Sequence, residues 1–164
     1  MAILRMQVLN NYFLKKIKGE KQMEVFIAAG VAWFIAQALK MIISFIENKR
    51  IDWSLATASG GMPSSHTAFV IAATTMIGRR EGFESSVFAL AVVLSFVVMY
   101  DAMNVRRAVG HIGQTLNQII DNFNKTGKVN VDNVKEILGH SPLQVFAGFV
   151  LGILVGMFLF KNVN

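Results

Sequence analysis

The stretch Gly60-Gly61-Met62-Pro63-Ser64-Ser65-His66-Thr67-Ala68 decides how the rest of the chain is read. Two glycines permit a tight turn, Pro63 pre-sets φ for a first helical turn, and Ser64 and Ser65 are residue types that cap the apolar run behind them. A helix is therefore predicted to begin beside His66. The N–H groups and positive dipole end of such a helix favour an anion, which His66 is suited to hold or protonate, and phosphate is the obvious choice. The same nonapeptide also fits an ordinary capped membrane helix whose histidine only satisfies a loop carbonyl.

Outward from this stretch, the composition sets the class. The 164 residues are 54% hydrophobic and 16% charged, and the mean hydropathy of +0.49 exceeds what a soluble domain needs. The expected class is an all-α integral membrane protein. No Pro/Ser-rich linker, low-complexity tract or internal repeat divides the chain, so one domain spanning residues 1–164 is expected. The absence of cysteine excludes disulfides, thiolate metal sites and cysteine nucleophiles. A net charge of +6 carried by dispersed Lys and Arg suits anionic lipid headgroups or a phosphorylated substrate. No nucleic-acid motif is present, and nucleic acid is not an expected partner.

Hydropathy predicts four transmembrane helices, over about residues 24–46, 64–78, 84–103 and 142–160. Residues 1–21 alternate apolar side chains with Arg5, Lys15, Lys16, Lys18 and Lys21, as an interfacial amphipathic helix does. Lys40 interrupts the first span, either as a snorkelling side chain or as a functional one. The second span is rich in Ala and Thr and suits a helix packed among others. After the third, Val105, Val109, Ile112, Leu116, Ile119 and Phe123 fall on one helical stripe with Arg106, Arg107, His111, Gln114, Asn117 and Asp121 opposite. This predicts a surface amphipathic helix between spans three and four. In the last span Gly148, Gly152 and Gly156 recur every fourth residue, a pattern serving either internal packing or a homodimer seam.

Alternating spans bring the unusual residues to one membrane face: Lys40 and Arg50, Ser64, Ser65 and His66, Asp101, Arg106 and Arg107, then His140 and Gln144. Basic residues are nearly balanced between the two faces, so the count does not orient the chain; the reading leans to a cytoplasmic N-terminus and a non-cytoplasmic active face.

At these residues a resemblance becomes specific. Pro63-Ser64-Ser65-His66 resembles the Pro-Ser-Gly-His motif of the type-2 phosphatidic acid phosphatase and vanadium-dependent haloperoxidase superfamily, whose histidine serves as general acid. Gly60 to His66, Met99-Tyr100-Asp101-Ala102 with Val105-Arg106-Arg107, and Leu138-Gly139-His140-Ser141-Pro142-Leu143 with Val145 together resemble the divergent, small membrane branch of that superfamily. The resemblance implies a phosphohistidine mechanism on a lipid phosphate monoester or pyrophosphate, with no cofactor and no metal. His140 would be the nucleophile and His66 the acid. Lys40, Arg50, Arg106, Arg107 and the start of the helix at Ser64 and Ser65 would hold the phosphate.

The match is incomplete in two places. The superfamily's nucleophilic histidine is followed four positions on by an aspartate, where this chain has Gln144. Asp101 is left to hold an arginine or a histidine. A rival assignment makes His111 the nucleophile, five residues after Arg106 and with Thr115 at the aspartate position; His140 is preferred because, like His66, it opens a membrane helix. The first motif, a lysine, six residues, an arginine and a proline, is also broken, since Lys40 and Arg50 are too far apart and Ile51 follows. These departures keep a second reading open, a non-catalytic membrane protein that binds lipid phosphate or acts as a helix-packing partner. Four spans are few for the superfamily's membrane members, and a homodimer would complete the scaffold.

Overall fold

The computed structural model describes residues 2–49, 60–125 and 139–160, with the side chains of the first helix described from residue 22 onward. The described residues are all-helical, without a strand: α1 (Ala2–Asn48), α2 (Ser65–Glu81), α3 (Ser86–Tyr100), a π turn (Asp101–Val105), α4 (Arg106–Lys125) and α5 (Pro142–Phe158). Arg50, with most of the loop that carries it, and residues 126–138 lie outside the described residues.

Two expectations are corrected by helix continuity. The segment before the first span is not a separate helix, because from Ala2 the backbone runs into that span as one helix of 47 residues. No proline or cap interrupts it, and its two glycines, Gly19 and Gly30, cost only about 1 kcal/mol each. At ~1.5 Å per residue, α1 is more than twice as long as a ~30 Å hydrocarbon core is thick. Likewise, the predicted third span does not end before a detached surface helix. α3 passes through the π turn into α4 as one helical run, Ser86–Lys125, of 40 residues. Nothing between Tyr100 and Val109 is glycine or proline, so the backbone absorbs the irregularity as one wide turn rather than a break.

Small residues fill the inside and large ones face out. α2 lies in the middle, against α1, α3 and α5. Its contact with α1 and α5 is built from Ala32, Ala36, Ala68, Ala72 and Val155. By contrast Phe26 and Leu90 are exposed by 70% and 69%, and Phe34, Phe96 and Phe146 also point outward. Without a water-driven force between apolar helices, packing in lipid selects small side chains at contacts and leaves large ones for the hydrocarbon, which is the distribution seen. Within α1 and in the α3–α4 run the helices are long and apolar enough to cross a membrane.

The glycine stripe of α5 is used inside the chain. A Cβ at Gly148 would collide with the Ser64 carbonyl, one at Gly152 would lie 2.7 Å from Ile71 Cβ, and one at Gly156 2.6 Å from Thr75 Cβ. The stripe is thus covered by α2 and is not a free seam for a second copy. Arg79 Nη1 and Nη2 donate to the carbonyls of Gly156 (2.9 Å) and Phe160 (2.8 Å) at the end of α5, and Arg80 pairs with Glu24 of α1. Thr74 and Ser95 join α2 to α3 through their hydroxyls, 2.8 Å apart.

The apolar stripe of α4 forms as its spacing predicts and stays exposed, with Ile112 at 67% and Phe123 at 52%, while Gly110, Gly113, Asn117 and Ile120 are its buried positions.

Candidate functional site

The site lies where α1 ends and α2 and α5 begin. Ser64, not Pro63, sets the start of α2: its hydroxyl accepts from Thr67 N–H and from Thr67 Oγ1–H at 3.0 Å, which makes it the N-cap, with Pro63 outside the helix. The Ser64 N–H donates to the Gln144 carbonyl at 2.9 Å, which binds the start of α2 to the start of α5 through the main chain. Gly61, at φ +89°, lets the preceding turn pass over the stem of Lys40. Lys40 is 3% exposed and does not snorkel; its Nζ donates to Ser65 Oγ at 3.3 Å.

His66 and His140 meet. Their ring centroids are 6.5 Å apart with the planes inclined at 61°. His140 is fully buried, and its Nε2 and the Nδ1 of His66 are buried without a hydrogen-bond partner among the described residues. A buried polar atom without a partner costs about 1–3 kcal/mol, a penalty that a ligand at these atoms would relieve.

The tautomer of His140 follows from its neighbour. Gln144 Oε1 lies 3.2 Å from His140 Nδ1 and also accepts the Ser141 N–H at 3.1 Å. The second bond identifies that atom as the amide oxygen, an acceptor, so Nδ1 carries the proton and Nε2 keeps its lone pair. The sequence, in which Gln144 replaces an aspartate, leaves either Gln144 or Asp101 to hold His140 neutral in its tautomer; the structure puts Gln144 there. Ser141-x-x-Gln144 is also a capping box, in which Ser141 Oγ accepts from Gln144 N–H. That spacing was available in the sequence. Burial pushes the His140 imidazole below the ordinary histidine range, partly opposed by the Gln144 hydrogen bond, and Lys40, His66 and Arg106 add to the lowering.

Of the remaining basic residues the structure separates two neighbours. Arg106 Nε donates to Asp101 Oδ2 at 2.9 Å, and its charge acts on both imidazoles. Asp101 therefore holds an arginine rather than a histidine. Arg107 is exposed, with its backbone beneath Gly139. Arg50 lies outside the described residues. The rival His111 is exposed on α4, where its carbonyl accepts from the hydroxyl of Thr115 at 3.0 Å. Among the described residues no group of three His, Asp or Glu side chains gathers as a metal site.

Sequence reasoning missed the main-chain supports. His140 N–H donates to the Ala102 carbonyl at 3.0 Å, and Gly139 lies against the backbone of Arg107. Neither contact leaves a side-chain signal.

Comparison with known proteins gives the family. Residues 21–155 match the model of the divergent PAP2 family. The chain is 37% identical over 139 residues to the uncharacterized membrane protein YuiD of Bacillus subtilis (strain 168), a match covering 78% of this chain and 88% of that protein. No solved structure matches the chain. The family match runs from α1 into α5 and takes in His66, the Asp101–Arg106 pair, His140 and Gln144, and this chain, with its outward-facing apolar helices, is a membrane protein that belongs to the divergent PAP2 family.

Proposed function

We propose that this protein is a multi-pass membrane phosphatase, one domain crossing the bilayer with α1, α2, α3 and α5. It hydrolyses a lipid phosphate monoester or pyrophosphate through a phosphohistidine. The observation that carries the reading is the pair of imidazoles 6.5 Å apart, each with a buried nitrogen lacking a partner. Near-attack contacts are ~3–3.5 Å and a proton donor sits ~2.6–3.2 Å from its oxygen, so two rings this near each other are close enough to act on one phosphoryl group.

His140 Nε2 attacks phosphorus as the alkoxide or phosphate leaving group departs with a proton from His66, and Gln144 holds the attacking ring in the required tautomer. The phosphorus–oxygen ester bond breaks as the phosphorus–nitrogen bond forms. Water then attacks the phosphohistidine with His66 taking its proton, which releases phosphate and restores both rings. Lys40, Arg106 and the N-terminal end of α2 with Ser64 and Ser65 oppose the charge on the equatorial oxygens; one such contact is commonly worth about 3 kcal/mol. Because the cradle lies at the end of the apolar helices, the substrate is amphiphilic, its phosphate at the membrane face and its chain in the lipid. The active face is non-cytoplasmic in this reading.

A lipid-phosphate binder without turnover would use the same cradle, and the neutral Gln144 favours it, because an amide stabilises an imidazolium less than a carboxylate does.

The test is phosphate release by purified protein from phosphatidate, phosphatidylglycerophosphate and polyprenyl phosphates. The His66→Ala and His140→Ala variants are expected to lose activity and His111→Ala to keep it. Equal activity in all four proteins ends the enzyme reading; loss in His111→Ala alone moves the nucleophile to α4. Binding of a lipid phosphate with no release in any protein supports the binder.

A further inference from the structure

The π turn between α3 and α4 does more than absorb an irregular helix. In a regular α-helix the Ala102 carbonyl would accept the N–H of Arg106. Here the Arg106 N–H goes one residue further back, to the Asp101 carbonyl. The Ala102 carbonyl thereby loses the Arg106 N–H, and it accepts the His140 N–H at 3.0 Å. The same extra residue turns everything downstream by about 100° relative to an unbroken helix. That rotation puts Arg106, not Arg107, beside Asp101, where its charge acts on the two imidazoles. The loop carrying His140 comes close enough for this bond only because residue 139 has no side chain: a Cβ on Gly139 would fall 2.5 Å from Arg107 Cα and 2.7 Å from Arg107 Cβ.

We infer that Gly139 and the π turn are positioning elements for the His140 imidazole, the turn supplying a main-chain acceptor and Gly139 the clearance to reach it. The assignment rests on the reading of His140 as the nucleophile, but the geometry it concerns is independent of turnover. Three attachments then hold His140 in place: its main-chain N–H to the Ala102 carbonyl, its ring Nδ1–H to Gln144 Oε1, and the Ser64 N–H to the Gln144 carbonyl behind it. The π turn sets the first and the α2–α5 contact the third. A single irregular turn thus places both the general cationic partner and the attacking ring, from segments more than thirty residues apart in sequence. Wide turns of this kind occur frequently at functional sites.

Two variants test this. Gly139→Ala adds the Cβ that the Arg107 backbone excludes. Deleting Asn104, an exposed residue whose Nδ2 bonds only along its own helix to the Tyr100 carbonyl (3.4 Å), lets the turn close to a regular α-helix and reclaim the Ala102 carbonyl. Asn104→Ala keeps the turn and is the control. Each protein is studied in detergent by imidazole nitrogen NMR with labelled histidine, and by phosphate release resolved into kcat and KM. Gly139→Ala is expected to move the His140 signals while leaving His111 unmoved, and the deletion, which also rotates α4 with His111, is expected to move the His140 signals as well. A misplacement of about 1 Å costs roughly 100-fold in rate, so kcat of Gly139→Ala should fall by about that factor with KM little changed, whereas the deletion, which also turns Arg106 away, should lower kcat and raise KM. Asn104→Ala should match wild type in both readouts. His140 signals that coincide with wild type in Gly139→Ala overturn the inference, as does an equal effect of Asn104→Ala and the deletion. Should wild type release no phosphate from any substrate, the phosphatase reading fails, while the NMR comparison still decides the positioning role.

Discussion

Gln144 is the residue whose replacement best separates the mechanism from the scaffold. Gln144→Ala removes one oxygen that accepts two hydrogen bonds, from Ser141 N–H at 3.1 Å and His140 Nδ1–H at 3.2 Å. At about 1 kcal/mol each, their loss amounts to about 2 kcal/mol of stability, or ~4–8 °C in the melting temperature of a chain this size. The larger effect falls on the chemistry. Without the acceptor the ring is free to exchange tautomers and to turn, and losing the group that orients a functional histidine typically costs 10- to 100-fold. Gln144→Glu keeps both acceptors and adds a negative charge, so it should retain the fold and shift the pH profile the other way. A carboxylate beside Nδ1 favours imidazolium and raises the pH below which the nucleophile is protonated, whereas Gln144→Ala removes the one interaction opposing the lowering by burial. The assay is kcat and kcat/KM against pH for both variants, with thermal unfolding measured in the same detergent. An alanine variant within twofold of wild type in kcat, with an unshifted acid limb, refutes the assignment of Gln144 as the group that sets the His140 tautomer.

For the wild-type protein, the acid limb of kcat/KM should lie below the ordinary imidazole titration near pH ~6.5, because burial disfavours the charged ring and the attacking nitrogen must be neutral. A limb at or above that pH would mean that His140 is not the nucleophile. Gly152→Leu drives a side chain into the Ala68 carbonyl and Ile71 and should destabilise by about 1–3 kcal/mol, read as a lower melting temperature in detergent, with the oligomeric state unchanged. A change of oligomer instead of stability would return the glycine stripe to a role between copies.

The resemblance and the topology went a long way, and their limits have physical causes. Four apolar runs, a serine cap before His66, a small-residue stripe on the last helix and an amphipathic segment after the third are statements about local periodicity and residue type, and each is present in the chain as an element. Continuity was harder to read. Helices end where caps or prolines stop them, and neither the Lys21 junction nor the one after Tyr100 carries either, so two expected breaks are absent. Charge spacing could not rank Arg106 above Arg107, since one residue of extra backbone decides which of two adjacent side chains faces Asp101.

By itself the sequence determined the class of molecule and the chemical types assembled at one end of it, because hydropathy and alternation are additive properties of the chain. Which atoms meet there was decided only by tertiary structure. The 6.5 Å approach of His66 and His140, the protonated Nδ1 of His140 and the burial of Lys40 against Ser65 depend on main-chain hydrogen bonds at Ser64, Ala102 and Gln144 and on the missing side chain of Gly139. Backbone N–H and carbonyl groups are the same in every residue, so the partners they choose follow from packing and not from the letters that precede them.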